Sequence, residues 1–117
     1  MAEHGEITES LKVFRDNFNQ NERLKKMNQD WDRVITIKAT DIDSLHTLTL
    51  KKGDLSLQEG ASENPDLVVV SDSETLADLF YGDTTPTEPY LNGTLKIQGS
   101  EDDIIRLDFI SLMIWGE

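Results

Sequence analysis

The spacing of the apolar residues changes twice along the chain, and this change restricts the fold more than any other sequence feature. In the first part, apolar residues recur every three or four positions and form one helical stripe, which consists of Ile7, Leu11, Phe14 and Phe18. Over residues 34–70, alternating and β-branched residues replace this spacing and favour strands. Helical spacing returns after residue 73. The order indicates an α+β chain whose sheet is covered by helices.

Turn residues and apolar spacing set the boundaries of the first helices and of the strands. We expect a helix over about residues 6–18, with a continuation or a second short helix to about residue 28. The expected strands are 34–39, 46–50, 55–58, 67–70 and 94–98. The first three are joined by short turns and should pair antiparallel. The last strand follows helices and has to return to the sheet by a crossover.

Three helices are expected in the second half of the chain. The first begins at Ser73, whose hydroxyl can cap it, and ends at Gly82. A short second helix takes Thr85 as its N-cap and ends near residue 92. The segment 104–115 is apolar on most faces and is interpreted as a helix, although the alternation within it leaves a strand open.

The charge of the chain narrows the classes of partner. Lys plus Arg number 11 and Asp plus Glu number 23, which gives a formal net charge of −12 over 117 residues. Such a field repels phosphate backbones and anionic headgroups, so nucleic acid and anionic membranes are not expected partners. The absence of cysteine excludes disulfides and suits a cytoplasmic protein. The length fits a single domain over residues 1–117, and no apolar run is long enough for stable membrane insertion.

Residues able to carry chemistry are few and scattered. His4 lies near the start of the chain, where fraying is common, and His46 is interpreted as an ordinary polar strand position. Asp41 and Asp43 resemble the opening of a calcium loop, but its later ligand and its glycine do not follow. The acids at 101–103 suit the first turn of a helix, whose dipole favours them. The sequence therefore predicts that the chain has no catalytic residue, no metal site and no cofactor, and that it is not an enzyme.

A more specific pattern lies in the second half. Residues 66–72, DLVVVSD, lead into the helix that ends at Gly82, and residues 90–99, YLNGTLKIQG, precede the closing helix. Over residues 65–107 this pattern resembles the sterol carrier protein (type two) family of lipid-binding domains. The strand segment from Gly93 to Gly99 matches a moderately specific signature of that family, and no single residue is diagnostic.

The resemblance implies a five-stranded, mostly antiparallel sheet covered by helices, with an apolar tunnel between sheet and helices. Domains of that family bind sterols, fatty acids or acyl-CoA. Carried over by position, the tunnel walls would consist of Leu76, Leu79, Phe80, Tyr90, Leu91, Ile105, Phe109, Leu112 and Met113. Tyr90, Arg106 or backbone groups would orient a polar head. The net charge disfavours acyl-CoA relative to a neutral lipid unless Lys96 and Arg106 form a local basic mouth.

The closing helix departs from the family pattern and keeps an alternative open. It begins with three acids and the bulky pair Ile104 and Ile105, where the family has small and Met-rich residues, and these would shrink the cavity or close its mouth. Its apolar faces suit ordinary core, a ligand cavity or a dimer interface. We therefore expect binding or carriage of an apolar lipid. The alternative is a non-catalytic module whose C-terminal helix meets a protein partner or a second copy.

Overall fold

The computed structural model describes residues 2–115 as five helices and five strands. The helices are α1 (His4–Asn19), α2 (Glu22–Met27), α3 (Ser73–Tyr81), α4 (Thr87–Leu91) and α5 (Glu101–Trp115). The strands are β1 (Arg33–Ala39), β2 (Ser44–Lys51), β3 (Asp54–Glu59), β4 (Leu67–Ser71) and β5 (Lys96–Gln98). The predicted order of helices and strands is confirmed, and the closing segment is a helix.

The strands form one sheet in the order β3-β2-β1-β4-β5. β1, β2 and β3 pair antiparallel, as predicted, and β5 pairs antiparallel with β4 at the other edge. The connection after β3 carries the chain past β2 and β1, so that β4 lies parallel to β1. The sheet is therefore mixed, mostly antiparallel with one parallel pair, and the predicted α+β class is confirmed.

The apolar stripe of α1 forms the centre of the core. Its residues are buried in one cluster with alternate residues of the central strands, among them Ile37 and Leu48. Because side chains alternate along a strand, these residues share one face of the sheet. α3 and α5 add Phe80 and Ile110 to the same cluster, and the Phe80 ring meets Phe14 edge to face with centroids 5.1 Å apart. This packing holds α3 and α5 over the sheet.

The N-terminal cap of α3 differs from the prediction. Asp72 caps the helix, since its carboxylate accepts a hydrogen bond from the Thr75 backbone N–H at 3.1 Å. The Ser73 hydroxyl, which was expected to cap, donates instead to the Asp41 carboxylate at 2.8 Å. The predicted helix end is confirmed, because Gly82 is the C-cap with a φ angle of +87°.

α4 begins later than predicted. The helix starts at Thr87, and Pro86 occupies the N-cap position, so Thr85 lies outside the helix. The proline side chain has no hydrogen-bonding group, so this helix start has no side-chain cap. The helix ends at the predicted place, with Asn92 as its C-cap.

β5 is shorter than the predicted strand 94–98. The Thr94 backbone N–H donates to the Asn92 side-chain oxygen at 2.9 Å, and the Leu95 N–H donates to the Pro89 carbonyl at 3.0 Å. Both donors are thereby used by the turn after α4. The ladder with β4 accordingly begins only at Lys96.

Candidate functional site

Hydrogen bonds fix the start of α5 against β1. Trp31 Nε1 donates to Asp103 Oδ1 over 3.0 Å, and Arg33 Nε donates to both oxygens of that carboxylate over 3.0 Å. Burial opposes ionisation of Asp103, but these hydrogen bonds and the Arg33 charge outweigh it and hold the pKa of Asp103 below its ordinary value. A charged, hydrogen-bonded carboxylate therefore joins α5 to the sheet.

A first pocket lies between the β4–β5 edge of the sheet and helices α3 and α5. Its volume is about 160 Å³. The apolar part of its wall consists of Val69, Leu79, Phe80, Pro86, Leu95, Ile97, Leu107 and Leu112. An apolar cavity of about 150 Å³ is large enough to bind benzene, so this pocket can hold a small apolar group.

A second pocket adjoins the first and is formed by α4, β5 and the start of α5. Its volume is about 450 Å³, which lies within the range of about 300–1,000 Å³ that is typical of small-molecule sites. The two pockets share Pro86, Ile97 and Asp108. They are therefore neighbours around one side of α5.

The polar groups of the two pockets are hydroxyls and carboxylates. Thr84, Thr85 and Ser111 contribute hydroxyls to the first pocket. Glu101 lies in the wall of the second, and Asp108 lies in the walls of both. Within residues 2–115, neither wall contains Lys, Arg or His. The electrostatic environment of both pockets therefore disfavours an anion.

The expected basic mouth is absent from these pockets. Arg106 Nη1 donates to Asn28 Oδ1 at 2.8 Å, and its guanidinium lies 5.4 Å from the centroid of the Trp31 ring. Lys96 is exposed on β5 and contributes to neither pocket wall. Arg106 therefore lies outside both pocket walls and holds α5 against the segment before β1, so its role in orienting a polar head stays a prediction without support from these contacts. Tyr90 does lie in the second wall.

Most of the residues that the resemblance assigned to a ligand wall line one of the two pockets. These residues are Leu79, Phe80 and Leu112 in the first pocket and Tyr90, Leu91 and Ile105 in the second. They come from α3, α4 and α5, which the fold brings together beside β5. Their role in ligand binding stays a prediction.

Three assigned residues lie outside both walls. Leu76 is fully buried in the core, because it lies on the side of α3 that faces the α1 stripe and the sheet. Met113 is partly buried against the same core. Phe109 is exposed on the outer side of α5 and contributes to neither of the two pockets. The structure does not bring these three side chains to the candidate site.

Other residues of the site were missed. Asp108 and Ser111 interrupt the apolar closing helix, and this interruption was the available signal that one side of α5 meets a mixed environment. Leu95 and Ile97 follow the strand alternation that points them inward, but alternation alone does not distinguish a pocket wall from ordinary core. Assigning these residues requires the position of α5.

Exposed apolar side chains of α4 and α5 form an apolar surface that overlaps the pocket walls, since every member except Phe109 also lines a pocket. Its members and their exposed fractions are Leu91 at 80%, Ile105 at 59%, Leu112 at 52% and Phe109 at 44%. A patch of large apolar residues is typical of a surface that another molecule covers. No helix within residues 2–115 has both the length and the apolar run needed to cross a membrane.

The two histidines differ from their sequence interpretation. His46 is fully buried, because strand alternation places it on the same face as Leu48 and Leu50. His4 is the first residue of α1, and its ring contacts Ser44 and Glu59 rather than fraying into solvent. Both rings lie together at the β2–β3 end of the molecule.

The fold and the pocket walls together define an α+β domain with two adjoining, mostly apolar pockets beside one edge of its sheet. Residues 8–104 match the SCP-2 sterol transfer family. The chain belongs to this family, which confirms the resemblance drawn from the second half of the sequence.

Solved structures share the fold at low sequence identity. The protein described as the UbiJ-SCP2 ubiquinone synthesis protein is 12% identical with a TM-score of 0.73, and the match covers 92% of this chain and 94% of that one. Palmitated SCP2L2 from Aedes aegypti is 14% identical with a TM-score of 0.68, and the match covers 87% of this chain and 90% of that one. At such identities the similarity shows the fold alone.

The fold also occurs as part of a larger chain. The inverting sec-alkylsulfatase Pisa1 from Pseudomonas sp. is 18% identical with a TM-score of 0.61. The match covers 74% of this chain but only 14% of the sulfatase. No curated protein sequence matches this chain significantly.

Proposed function

We propose that this chain binds or carries an apolar, lipid-like ligand of the sterol, fatty acid or acyl-CoA class and catalyses no reaction. The observation that supports this proposal is the pair of adjoining apolar pockets between β5 and the last three helices. Membership of a sterol transfer family supports the same ligand chemistry. Carriage within the cytoplasm, as expected from the composition, is part of the proposal.

The affinity would come from burial of apolar surface. Removing apolar surface from water contributes about 25 cal/mol for each Å² before the costs of ordering are subtracted. Leu79, Phe80 and Leu112 offer such surface in the first pocket, and Leu91 and Ile105 offer it in the second. A chain-like or ring-like apolar body placed along both pockets would contact α3, α4 and α5 together.

The charges at the pockets favour a neutral headgroup. Asp108 borders both pockets, Glu101 borders the second, and the formal net charge of the chain is −12. An anionic headgroup placed here meets like charge without a cation in the described walls to offset it. Within the proposed class, we therefore favour a sterol or another neutral lipid over a fatty acid anion or acyl-CoA.

The experiment that tests binding is native mass spectrometry of freshly purified protein, followed by solvent extraction of bound molecules and uptake of an added fluorescent lipid. Leu112→Asp puts a charge into the wall of the first pocket and should reduce uptake at least tenfold. Phe109→Asp is the matched control, because it adds the same charge to the same helix outside both walls.

The result expected is a lipid at one molecule per chain that is lost in the Leu112→Asp protein and kept in the Phe109→Asp protein. Circular dichroism has to show that both variants remain folded. A clean apo mass with no uptake of sterols, fatty alcohols or fatty acids would reject the proposal, and so would equal uptake by the two variants.

The headgroup preference has its own test. We expect 1-hexadecanol to displace a bound fluorescent lipid at lower concentration than palmitate, because only palmitate places a carboxylate beside Asp108. Asp108→Asn should reduce the difference between the displacing concentrations of the two competitors several-fold, because it removes that like charge. Asp102→Asn removes an equal charge at an exposed position outside both walls and should leave the difference unchanged. Stronger competition by palmitate would contradict the preference.

The apolar surface on α4 and α5 supports a second candidate function. In this function the chain is a non-catalytic module, and this surface contacts a protein partner or a second copy of the chain. Analytical ultracentrifugation over a range of concentrations tests self-association. If this function holds, Phe109→Asp should dissociate the dimer while leaving lipid uptake intact. A monomer at all concentrations would exclude the second copy and direct the search to another protein.

A further inference from the structure

The register of β2 and β3 brings together residues that are distant in the sequence. His46 lies directly opposite Glu59 in the antiparallel pairing, so the two side chains share a face of the sheet. His4, at the start of α1, stacks its ring on His46 with centroids 4.4 Å apart. One possible ligand atom from each of these three residues lies within 4.8 Å of the other two. We name them the histidine cluster.

The hydrogen bonds of Thr8 assign the proton of the buried ring. The Thr8 hydroxyl donates to the His4 backbone carbonyl at 3.1 Å and therefore uses its only hydrogen there. The same hydroxyl lies 2.7 Å from His46 Nε2, and we infer that it accepts there from the tautomer that carries its proton on Nε2. His46 Nδ1 is left with a free lone pair.

That lone pair is buried without a partner. His46 is 0% exposed, and its Nδ1 has no hydrogen-bond partner within residues 2–115. Leaving a buried polar atom unsatisfied costs about 1–3 kcal/mol, so such atoms are rare unless an ion, water or function accounts for them. Metal coordination by the lone pair removes this cost.

The second imidazole already lies against the carboxylate. His4 Nε2 is 2.6 Å from Glu59 Oε1, and His4 Nδ1 is 2.5 Å from the Ser44 hydroxyl. The Glu59 side chain is 71% exposed and that of His4 is 44% exposed, so both can adjust. Solvent can therefore reach the cluster from the Glu59 side.

We propose that His4, His46 and Glu59 form a binding site for Zn²⁺, with water as the fourth ligand. Two imidazoles and one carboxylate are a recognised ligand set for zinc with one open position. The ion would take the place of the proton between His4 Nε2 and Glu59. The His4 ring has to turn out of its stack on His46, since both lone pairs must point at one ion about 2.0–2.1 Å away.

The site is separate from the proposed lipid pockets. The cluster lies where the start of α1 meets β2 and β3, at one edge of the sheet, whereas the pockets lie beside β5 at the opposite edge. Zinc bound here would link the start of α1 to these two strands. A failure to bind zinc would therefore not contradict the proposed lipid function, and a failure to bind lipid would not contradict the zinc site.

The chain offers a clean experiment, because His4 and His46 are its only histidines and it has no cysteine. Tag-free protein is titrated with ZnCl₂ by calorimetry and by NMR of the imidazole groups. We expect one ion per chain, shifts in the signals of both histidines, and a higher Tm with zinc. Glu59→Gln and His4→Gln should each weaken binding at least tenfold.

A matched control keeps the charge change constant. Glu63→Gln removes one carboxylate from an exposed loop position outside the cluster and should leave zinc affinity unchanged. Because replacement of buried His46 risks unfolding, the two exposed ligands carry the test. The proposal is overturned by no binding at millimolar zinc. It is also overturned if the Glu59→Gln protein still binds zinc and zinc shifts the NMR signals of His4 alone. That result would assign the ion to the N-terminal segment.

Discussion

Asp103 is the side chain through which Trp31 and Arg33 hold the start of α5. It is buried in the structure and accepts hydrogen bonds from both partners over 3.0 Å. Asp103→Asn should lower the free energy of unfolding by about 1–3 kcal/mol, the cost of disrupting hydrogen bonds to a buried charged group. Asp102→Asn is the control, because it removes the same charge from an exposed neighbouring position. Urea denaturation at pH 7 measures the difference.

The same carboxylate predicts a dependence on pH. The pKa of Asp103 is lower in the folded chain than its ordinary value, so the folded state binds this proton less readily than the unfolded state. The stabilisation is therefore complete above the unfolded-state pKa of about 3.9 and is lost as the pH falls through the folded-state pKa. The difference in the free energy of unfolding between wild type and Asp103→Asn should therefore decrease below about pH 4. A difference that stays constant to pH 2.5 would contradict the assignment.

Gly99 permits a close approach between the backbone after β5 and the start of β4. Its φ angle is +152°, and an added Cβ would lie 2.9 Å from the Asp66 carbonyl oxygen and 2.5 Å from a Leu67 methyl carbon. Gly99→Ala should therefore destabilise the chain by more than the roughly 1–3 kcal/mol of backbone strain alone. Gly60→Ala isolates that strain, because Gly60 also has positive φ, +90°, but nothing within 4 Å. Equal destabilisation by the two changes would reject the steric argument.

At the scale of the elements, the carboxylate of Asp72 caps the start of α3. Asp72 accepts from the Thr75 backbone N–H at 3.1 Å and from its hydroxyl at 2.6 Å. Asp72→Ala should cost about 1 kcal/mol and Asp72→Asn less, because the amide oxygen still caps. Thermal unfolding followed by circular dichroism measures both. If Asp72→Ala leaves stability unchanged, the cap does not hold the helix.

Local patterns explain which elements could be predicted and where the prediction ended. The spacing of the α1 stripe and the alternation in β2 are local properties, and both elements form where that spacing lies. The cap of α3 was misassigned because Asp72 and Ser73 are both good capping residues, and only the position of Asp41 decides between them. Boundaries of this kind depend on partners about 30 residues away in the chain.

At the scale of the whole molecule, the net charge of −12 predicts a strong effect of salt. Mutual repulsion of the acidic side chains opposes the compact state. Raising the ionic strength from about 0.01 M to about 1 M shortens the screening length from about 30 Å to about 3 Å. We therefore expect the urea midpoint to rise with NaCl and equally with KCl. An unchanged midpoint would mean that attractive ion pairs balance the repulsion.

The candidate sites show the limit of inference from sequence. The resemblance predicted that α3, α4 and α5 form the walls of a ligand site. Leu79 and Leu112 do line a pocket, whereas Leu76 and Phe109 do not. Helical spacing says which residues share a face, but the rotation of the helix against its neighbours decides whether that face meets a pocket, the core or solvent. For α5 this rotation depends on Asp103, Trp31 and Arg33.

The sequence by itself determined the α+β class and the order of the elements, because periodicity and turn chemistry act over a few residues. Its resemblance over residues 65–107 indicated the family. Only the tertiary structure decided the parallel placement of β4 beside β1, the position of Arg106 away from the pockets, and the meeting of His4, His46 and Glu59. Each of these results depends on strand register and helix docking between segments far apart in the chain. Such contacts arise from the packing of the whole core and leave no local pattern in the sequence.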